Sequence, residues 1–270
     1  MTDKNPQAKQ MQDESMVRTL DAQARAIWPQ EQLLFERYYI PASARVLDLG
    51  CGTGEITARL AEQWPQAHIV GVDLVESHLV AAREHAAQHA ERVSFEAGDA
   101  FDLRFEAESF DFVLCRHLFQ AVPRPEAVVA EIQRVLASGG AIHLLVEDYG
   151  LIHHDPTRLD TDAFWREFIG GFGRATGTEM LIGRKMLPIL RDAGFKDIRV
   201  EYLTIDSLRV DPQVIAEIWS AWRDGYRDGL AQTSGRPVEV IDEHFDDMIQ
   251  CLQRPDGYGV WHIPIWSARK

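Results

Sequence analysis

Residues 46–57 read VLDLGCGTGEIT: an apolar run carrying Asp48, then Gly50, Gly52 and Gly54. Glycines packed this closely behind a strand let the main chain approach a nucleotide-like ligand with no side chain between them. Two phosphate-binding readings of such a turn fail on the residues. A phosphate loop needs a Gly-Lys-Ser/Thr ending, which is absent. The dinucleotide pattern G-x-G-x-x-G puts its third glycine at position 55, where Glu55 stands. A carboxylate there would face a pyrophosphate at a helix N-terminus, where an anion belongs. The observed G-x-G-x-G, with Asp48 just upstream, suits a cofactor carrying no phosphate. Asp73 ends the next apolar run at a spacing that parallels the ribose-binding acid of dinucleotide folds, so that residue alone does not exclude them. An acid at a strand end also often serves to cap the following helix. His153, His154 and Asp155 are consecutive, but no further ligands stand at a metal-site spacing, and no metal is expected.

The elements that must position these residues follow from periodicity. From residue 44, ARVLDLG, HIVGVDL, VSFEAGD, FDFVLC and AIHLLVED read as buried strands. Helical segments alternate with them, the best marked being RPEAVVAEIQRVLASGG, with Pro125 in its first turn and Gly139 as its C-terminal cap. Apolar strands alternating with helices predict a parallel sheet covered on both faces. Upstream, Met16, Leu20, Ile27, Leu33, Leu34 and Tyr38 recur at helical spacing, with Pro29 dividing the segment into two helices. Residues 150–178 read as a loop and an aromatic-rich helix. MLIGRKMLPILRDAGF reads as a sheet-packing helix kinked at Pro188, and KDIRVEYLTI as a sixth strand. Two amphipathic helices then precede a last strand, YGVWHIPIWSA.

With these pieces in place, the chain resembles the class I S-adenosylmethionine-dependent methyltransferases, in the small-molecule branch that includes the quinone-biosynthesis enzymes. The resemblance rests on VLDLGCGTG, VGVDL, AGDAFDL and SFDFVLCRHLFQAVPRPEAVVAEIQRVLASGG, in that order. It covers residues 44–150 closely and 180–205 loosely. It implies an α/β, Rossmann-like, seven-stranded, mostly parallel sheet with helices on both faces and a helical substrate cap. It also implies S-adenosyl-L-methionine as cofactor. Gly50 and Gly52 would admit the methionine part, whose ammonium Asp48 attracts directly or through water. Asp73 would accept from both ribose hydroxyls, and Leu74 would pack on the adenine. Asp99 would accept from the adenine amino group beside the Ala100 backbone, with Cys115 and Arg116 lining the methyl side through their main chains.

A sulfonium methyl is already activated, so the protein mainly has to align an acceptor with it. A base is needed only where the acceptor arrives protonated. His117, just after the fourth strand, is the first candidate, since an imidazole exchanges protons near neutral pH; a hydrogen bond to the adjoining loop is the alternative role. His153, His154 and Tyr149 are second choices, and Glu147 and Asp148 are candidates to orient the acceptor. Gln120 stands where the quinone-type relatives often carry histidine, so their acceptor chemistry does not transfer. Trp28, Trp165, Trp219 and Trp222 fall in the N-terminal segment or the insertions and point to an apolar or aromatic acceptor. Arg158, Arg166, Arg174 and Arg184 are candidates to meet an acceptor carboxylate.

At 270 residues and 46% apolar composition the chain can bury one large core with an added cap. The 42 acidic against 28 basic residues, a net charge of −14, disfavour nucleic acid and anionic membrane surfaces as partners. Three scattered cysteines build neither a disulfide framework nor a zinc site, and they argue against arsenic methylation. The first 14 or so residues are polar, expected as a disordered lead and not a secretory signal, and a cytoplasmic location is the default expectation. The expected division is a helical lid over 1–40, a cofactor-binding core over 41–149, a cap insertion over 150–180, core again over 181–206, a helical cap insertion over 207–255 and a final core strand over 256–270. The expected activity is methyl transfer to the O or N of a small-molecule acceptor, and a homodimer would be unsurprising. A nicotinamide-dependent oxidoreductase and a non-catalytic S-adenosylmethionine-binding module are the competing classes.

Overall fold

The computed structural model describes residues 6–7 and 14–270. Its parallel half holds β1 (Arg45–Leu49), β2 (His68–Asp73), β3 (Val93–Ala97), β4 (Phe110–Arg116) and β5 (Leu136–Leu145), in the order β3-β2-β1-β4-β5. Neighbouring residues along each strand serve opposite layers. Val46, Phe112 and Leu114 pack with Ile56 and Leu60 on one side, while Leu47, Val113 and Ile142 pack with Val128, Ile132 and Leu190 on the other. Burial on both faces is what makes these strands read as unbroken apolar runs.

The helices are α1 (Glu14–Glu31), α2 (Glu55–Gln63), α3 (Glu76–His85), α4 (Pro125–Val135), α5 (Thr161–Phe164), α6 (Gly170–Thr176), α7 (Met186–Asp192), α8 (Pro212–Ser234) and α9 (Val238–Gln253). The second half of the sheet is organised by β8 (Tyr258–Arg269), which runs antiparallel to β5 through Ile265–Arg269 and along β7 (Lys196–Asp206) for most of its length. Over this half, α8, α9 and residues 161–176 form a helical layer. Its core joins Trp165, Trp219, Trp222, Phe245 and Trp261 to Ala22, Ala26 and Ile27 of α1. No helix of the described residues is long and apolar enough to cross a membrane.

Several local expectations need correction. Ile152–Asp155 is not loop but a short strand, β6, which pairs with the first residues of β8 and makes the sheet eight-stranded. Pro29 does not divide α1; it sits in the last turn, and a 3₁₀ segment (Gln32–Arg37) follows, turning Leu33 outward. α4 stops at Val135 because Leu136 already pairs with Phe110, so Gly139 lies inside β5 and caps nothing. Pro188 causes no kink, since α7 begins only at Met186 and a first-turn proline loses no helical hydrogen bond. In the polar lead, Gln7 is buried; the other residues before 14, apart from residue 6, and the Met16 side chain lie outside the described residues.

Gly54 answers to packing rather than to a ligand. Its φ is +77°, and a Cβ there would stand 2.7 Å from the Ala82 Cβ and 2.8 Å from its Cα. Gly54→Ala is therefore expected to cost about 1–3 kcal/mol through strain at positive φ and overpacking against α3. Urea melts would show this as a lower midpoint at constant slope; an unmoved midpoint would refute it.

Candidate active site

The C-terminal ends of β1, β2 and β4 open into one cavity, with about 790 Å³ of non-protein space counting its open mouth. Asp48, Gly50, Gly52, Asp73, Leu74, Arg116 and His117 line it, together with Leu20 and Gln23 from α1. A smaller cavity of about 320 Å³ adjoins it, sharing Gly50, Asp73 and Leu74 and adding Asp99, Ala100 and Phe101. The sequence-derived cofactor residues thus converge, although Cys115 is fully buried among the core side chains of β4.

Each acid has a distinct setting. Asp73 accepts from the Gly52 and Val75 main-chain N–H groups, both at 2.9 Å, with the His78 imidazole 3.7 Å away. Its carboxylate therefore braces the glycine turn, and two of its about four acceptor sites stay available. Asp48 is buried and accepts from the Thr57 hydroxyl at 2.6 Å. Burial pushes its carboxyl up to about 6, against the pull of Thr57 and Arg116. Asp99 accepts from the Phe101 N–H at 2.9 Å.

At the opposite wall stands Arg116, whose side-chain role no local sequence pattern announces. Its side chain is 8% exposed, one terminal nitrogen forms an ion pair with the Glu31 carboxylate at 3.1 Å, and its Nε has no hydrogen-bond partner among the described residues. Glu31 is fully buried: burial alone would raise its carboxyl, but Arg116 and His143 together hold it below the usual range. His143 Nε2 lies 3.2 Å from Glu31, and its Nδ1 lies 3.0 Å from the Tyr38 hydroxyl. Burial lowers His143 and pushes Tyr38 up to about 12, so a neutral imidazole donates to Glu31 and accepts from the phenol. The end of α1 is thereby tied to the cavity floor. The only trace in the sequence is a histidine set inside the apolar run of β5.

His117 adopts φ +53°, rare for a residue with a side chain. Its Nδ1 bonds the buried Glu147 carboxylate, and its buried Nε2 has no partner among the described residues. Gln120 donates to the His117 carbonyl at 2.7 Å. On the far side of the imidazole stands Trp261, with ring centres 6.2 Å apart. The other base candidates fall elsewhere. His153 is half exposed on β6 and bonded to Asp162. His154 is buried against the Trp219 N–H, and burial lowers it to about 4. Tyr149 is packed between Trp165 and Trp222, and burial pushes its phenol far above the usual range. None of the four arginine candidates lines the cavity, and Arg184 is clamped on Asp148. Trp28 packs on Phe35 in the core beside the sheet.

The residues fit S-adenosyl-L-methionine. Gly50, at φ +76°, has nothing nearer than 3.8 Å to an added Cβ, leaving room above its backbone, and acids line one wall while the Arg116 guanidinium, ion-paired with Glu31, lines the other. Comparison agrees. A model described as a methyltransferase domain matches residues 40–168. The chain is 38% identical to the ubiquinone/menaquinone biosynthesis C-methyltransferase UbiE of Dinoroseobacter shibae, over 67% of this chain and 75% of that one. It is 32% identical to the trans-aconitate 2-methyltransferase of Variovorax paradoxus over 53% of this chain, and the match spans 54% of that relative, about half its length. The fold matches the phosphoethanolamine N-methyltransferase 2 of Haemonchus contortus solved with S-adenosyl-L-methionine, with TM-score 0.62, 18% identity, and 98% of this chain and 59% of that one covered.

The fold and cavity define a Rossmann-like, cofactor-binding chain. More particularly, the chain belongs to the methyltransferase family whose cofactor is S-adenosyl-L-methionine. The oxidoreductase reading is set aside.

Proposed function

We propose that the protein transfers the methyl group of S-adenosylmethionine to the O or N of a small, largely apolar or aromatic metabolite by in-line displacement. The observation that carries this reading is the His117–Glu147 pair, set between the cofactor cavity and the aromatic helical layer, with His117 Nε2 unpartnered among the described residues. When bound, the cofactor supplies a sulfonium methyl that needs alignment more than activation. Glu147 accepts the Nδ1–H of His117 and so fixes the tautomer whose Nε2 takes a proton from the acceptor. Asp73 holds the ribose hydroxyls, Leu74 packs on the adenine, and Asp99 with the Ala100 backbone receives its amino edge. Asp48 attracts the ammonium, Gly50 and Gly52 present main chain to the methionine, and Arg116 meets its carboxylate. Residues 1–40 act as a lid, 150–180 and 207–255 as a cap, and 41–149, 181–206 and 256–270 as the core. Incubation with methyl-labelled cofactor and a fractionated metabolite extract should yield a labelled small molecule; label retained on the cofactor across all fractions, despite tight binding, would overturn transfer.

The Asp48 assignment predicts a pH dependence. A carboxyl that titrates near 6 in the free protein must be ionised to attract an ammonium, so binding below that pH has to expel a proton. Affinity for S-adenosylhomocysteine should fall as pH drops through about 6, and Asp48→Asn should flatten the profile. Melting temperature is a poor substitute. The raised Asp48 stabilises the fold at low pH and loses that contribution as pH rises from about 4 to 6, while the lowered His154 contributes in the opposite sense over the same interval. Calorimetry that finds a flat affinity between pH 5 and 8 would remove Asp48 from the ammonium site.

A further inference from the structure

We infer that Glu31, the last residue of α1, is a positioning residue of the cofactor site, holding the Arg116 guanidinium where it meets the carboxylate of S-adenosylmethionine; the inference rests on the role given to Arg116 above. Arg116 ends β4 and lines the cofactor cavity, while Glu31 ends the helix whose Leu20 and Gln23 line the same cavity. Glu31 is fully buried and divides its carboxylate between two partners. One oxygen lies 3.2 Å from His143 Nε2, and the other 3.1 Å from a terminal nitrogen of Arg116. The imidazole is held in turn by the Tyr38 hydroxyl at 3.0 Å. Gln30, next in the chain, donates to the Thr204 carbonyl at 2.8 Å and accepts from the Thr204 N–H at 3.3 Å. The carboxylate is therefore fixed from two directions before any ligand arrives. Of these groups only Arg116 lines the cavity, so Glu31 reaches a ligand through the arginine.

An ion pair that served only to fasten α1 would consume the guanidinium. Arg116 instead keeps a buried Nε with no hydrogen-bond partner among the described residues. Buried donors are seldom left unmet in folded proteins, and a guanidinium has N–H groups enough to serve both an internal acid and a bound one. An anion entering the cavity completes the set. The planar fork matters here: pinning one terminal nitrogen on Glu31 fixes which N–H groups face elsewhere.

Charge balance gives the second reason. The amino-acid end of the cofactor is a zwitterion, with its ammonium directed to Asp48 and its carboxylate to Arg116. Asp48 and Arg116 line one cavity and attract each other, strongly so where water is scarce. Without Glu31, the guanidinium would be drawn toward Asp48 and would fill the space that the zwitterion needs. A fixed acid outside the cavity opposes that collapse. The same carboxylate seats the end of α1, so the arginine is set only when the helix is in place.

The test measures, by calorimetry on the full chain, the affinities of S-adenosylhomocysteine and of methylthioadenosine, which keeps the nucleoside and thioether but has no amino-acid end. Arg116→Met should lower S-adenosylhomocysteine affinity about tenfold or more and leave methylthioadenosine within about twofold of wild type, as expected for lost charge-assisted hydrogen bonds to a carboxylate. Glu31→Gln keeps the shape and removes the charge. It should lower S-adenosylhomocysteine affinity about fivefold, with methylthioadenosine again within about twofold, a coupling of the size found between contacting residues. In the Arg116→Met background the same change should cost nothing further, because its effect runs through the arginine. Retained methylthioadenosine binding shows that each variant is folded. Equal losses for both ligands in Glu31→Gln, additive losses in the double variant, or no loss would overturn the positioning role and leave Glu31 a fastening for α1. An Arg116→Met variant with an unchanged preference for S-adenosylhomocysteine would overturn it together with the Arg116 assignment, with methyl transfer intact. Wild-type protein that binds neither ligand would remove the methyl-transfer reading as well.

Discussion

Replacing Asp73 by alanine should weaken S-adenosylmethionine binding about tenfold or more. Two charge-assisted hydrogen bonds from ribose hydroxyls would be lost, at about 1.5–3 kcal/mol in total. The geometry adds a second expected consequence. Asp73 also accepts from the Gly52 and Val75 N–H groups, so the alanine variant leaves the glycine turn without its brace. Asp73→Asn separates the two effects, because the amide oxygen still accepts one backbone N–H while the charge is gone. The alanine variant should therefore lose more affinity than the asparagine variant and should also melt earlier. Unchanged calorimetric affinity in both would refute the ribose assignment.

The largest expected effect on turnover comes from His117→Ala. Removal of a positioned base is expected to lower kcat by about 10²–10⁴-fold, with cofactor affinity within about twofold, because the assignment gives His117 no bond to the cofactor. Glu147→Gln should act through His117. It removes the ionised partner that fixes the tautomer, so kcat falls by less and the pH–rate profile moves. The deficit of the alanine variant should shrink at high pH, where the acceptor loses its proton to water without help. A deficit that stays constant from neutral to high pH would show that His117 serves packing or positioning and moves no proton.

The parallel half of the sheet was readable from residue patterns because both faces are buried, and such strands leave long apolar runs ending in the acids and glycines of the loops. The antiparallel half was less readable. β6 is the four residues IHHD, too short and too polar to signal a strand, and only its pairing with β8 makes it one. The end of α4 was misplaced for a related reason: RVLASGG suits a helix locally, and the pairing of Leu136 with Phe110 overrides that preference. In the site, Asp48, Asp73 and Asp99 follow directly from strand ends. The tie between Arg116 and Glu31, and the hold of Glu147 on His117, join residues far apart in the chain, and no local pattern encodes such pairs. Gly54 looked like its two neighbours in sequence, yet the contact it avoids is with a helix.

The place of β8 bears on how the molecule is made. It is the last strand of the described chain, yet it lies between β5 and β7 and also pairs with β6. Until residues 258–269 have left the ribosome, the main-chain groups along that side of β5 and along β7 have no partner, and edges of this kind recruit other strands. Nascent chains should therefore carry a preassembled nucleotide-binding half next to an unfinished flank that is open to chaperones, and tags or breaks introduced within that final stretch should reduce soluble yield more than equal changes in the exposed helices.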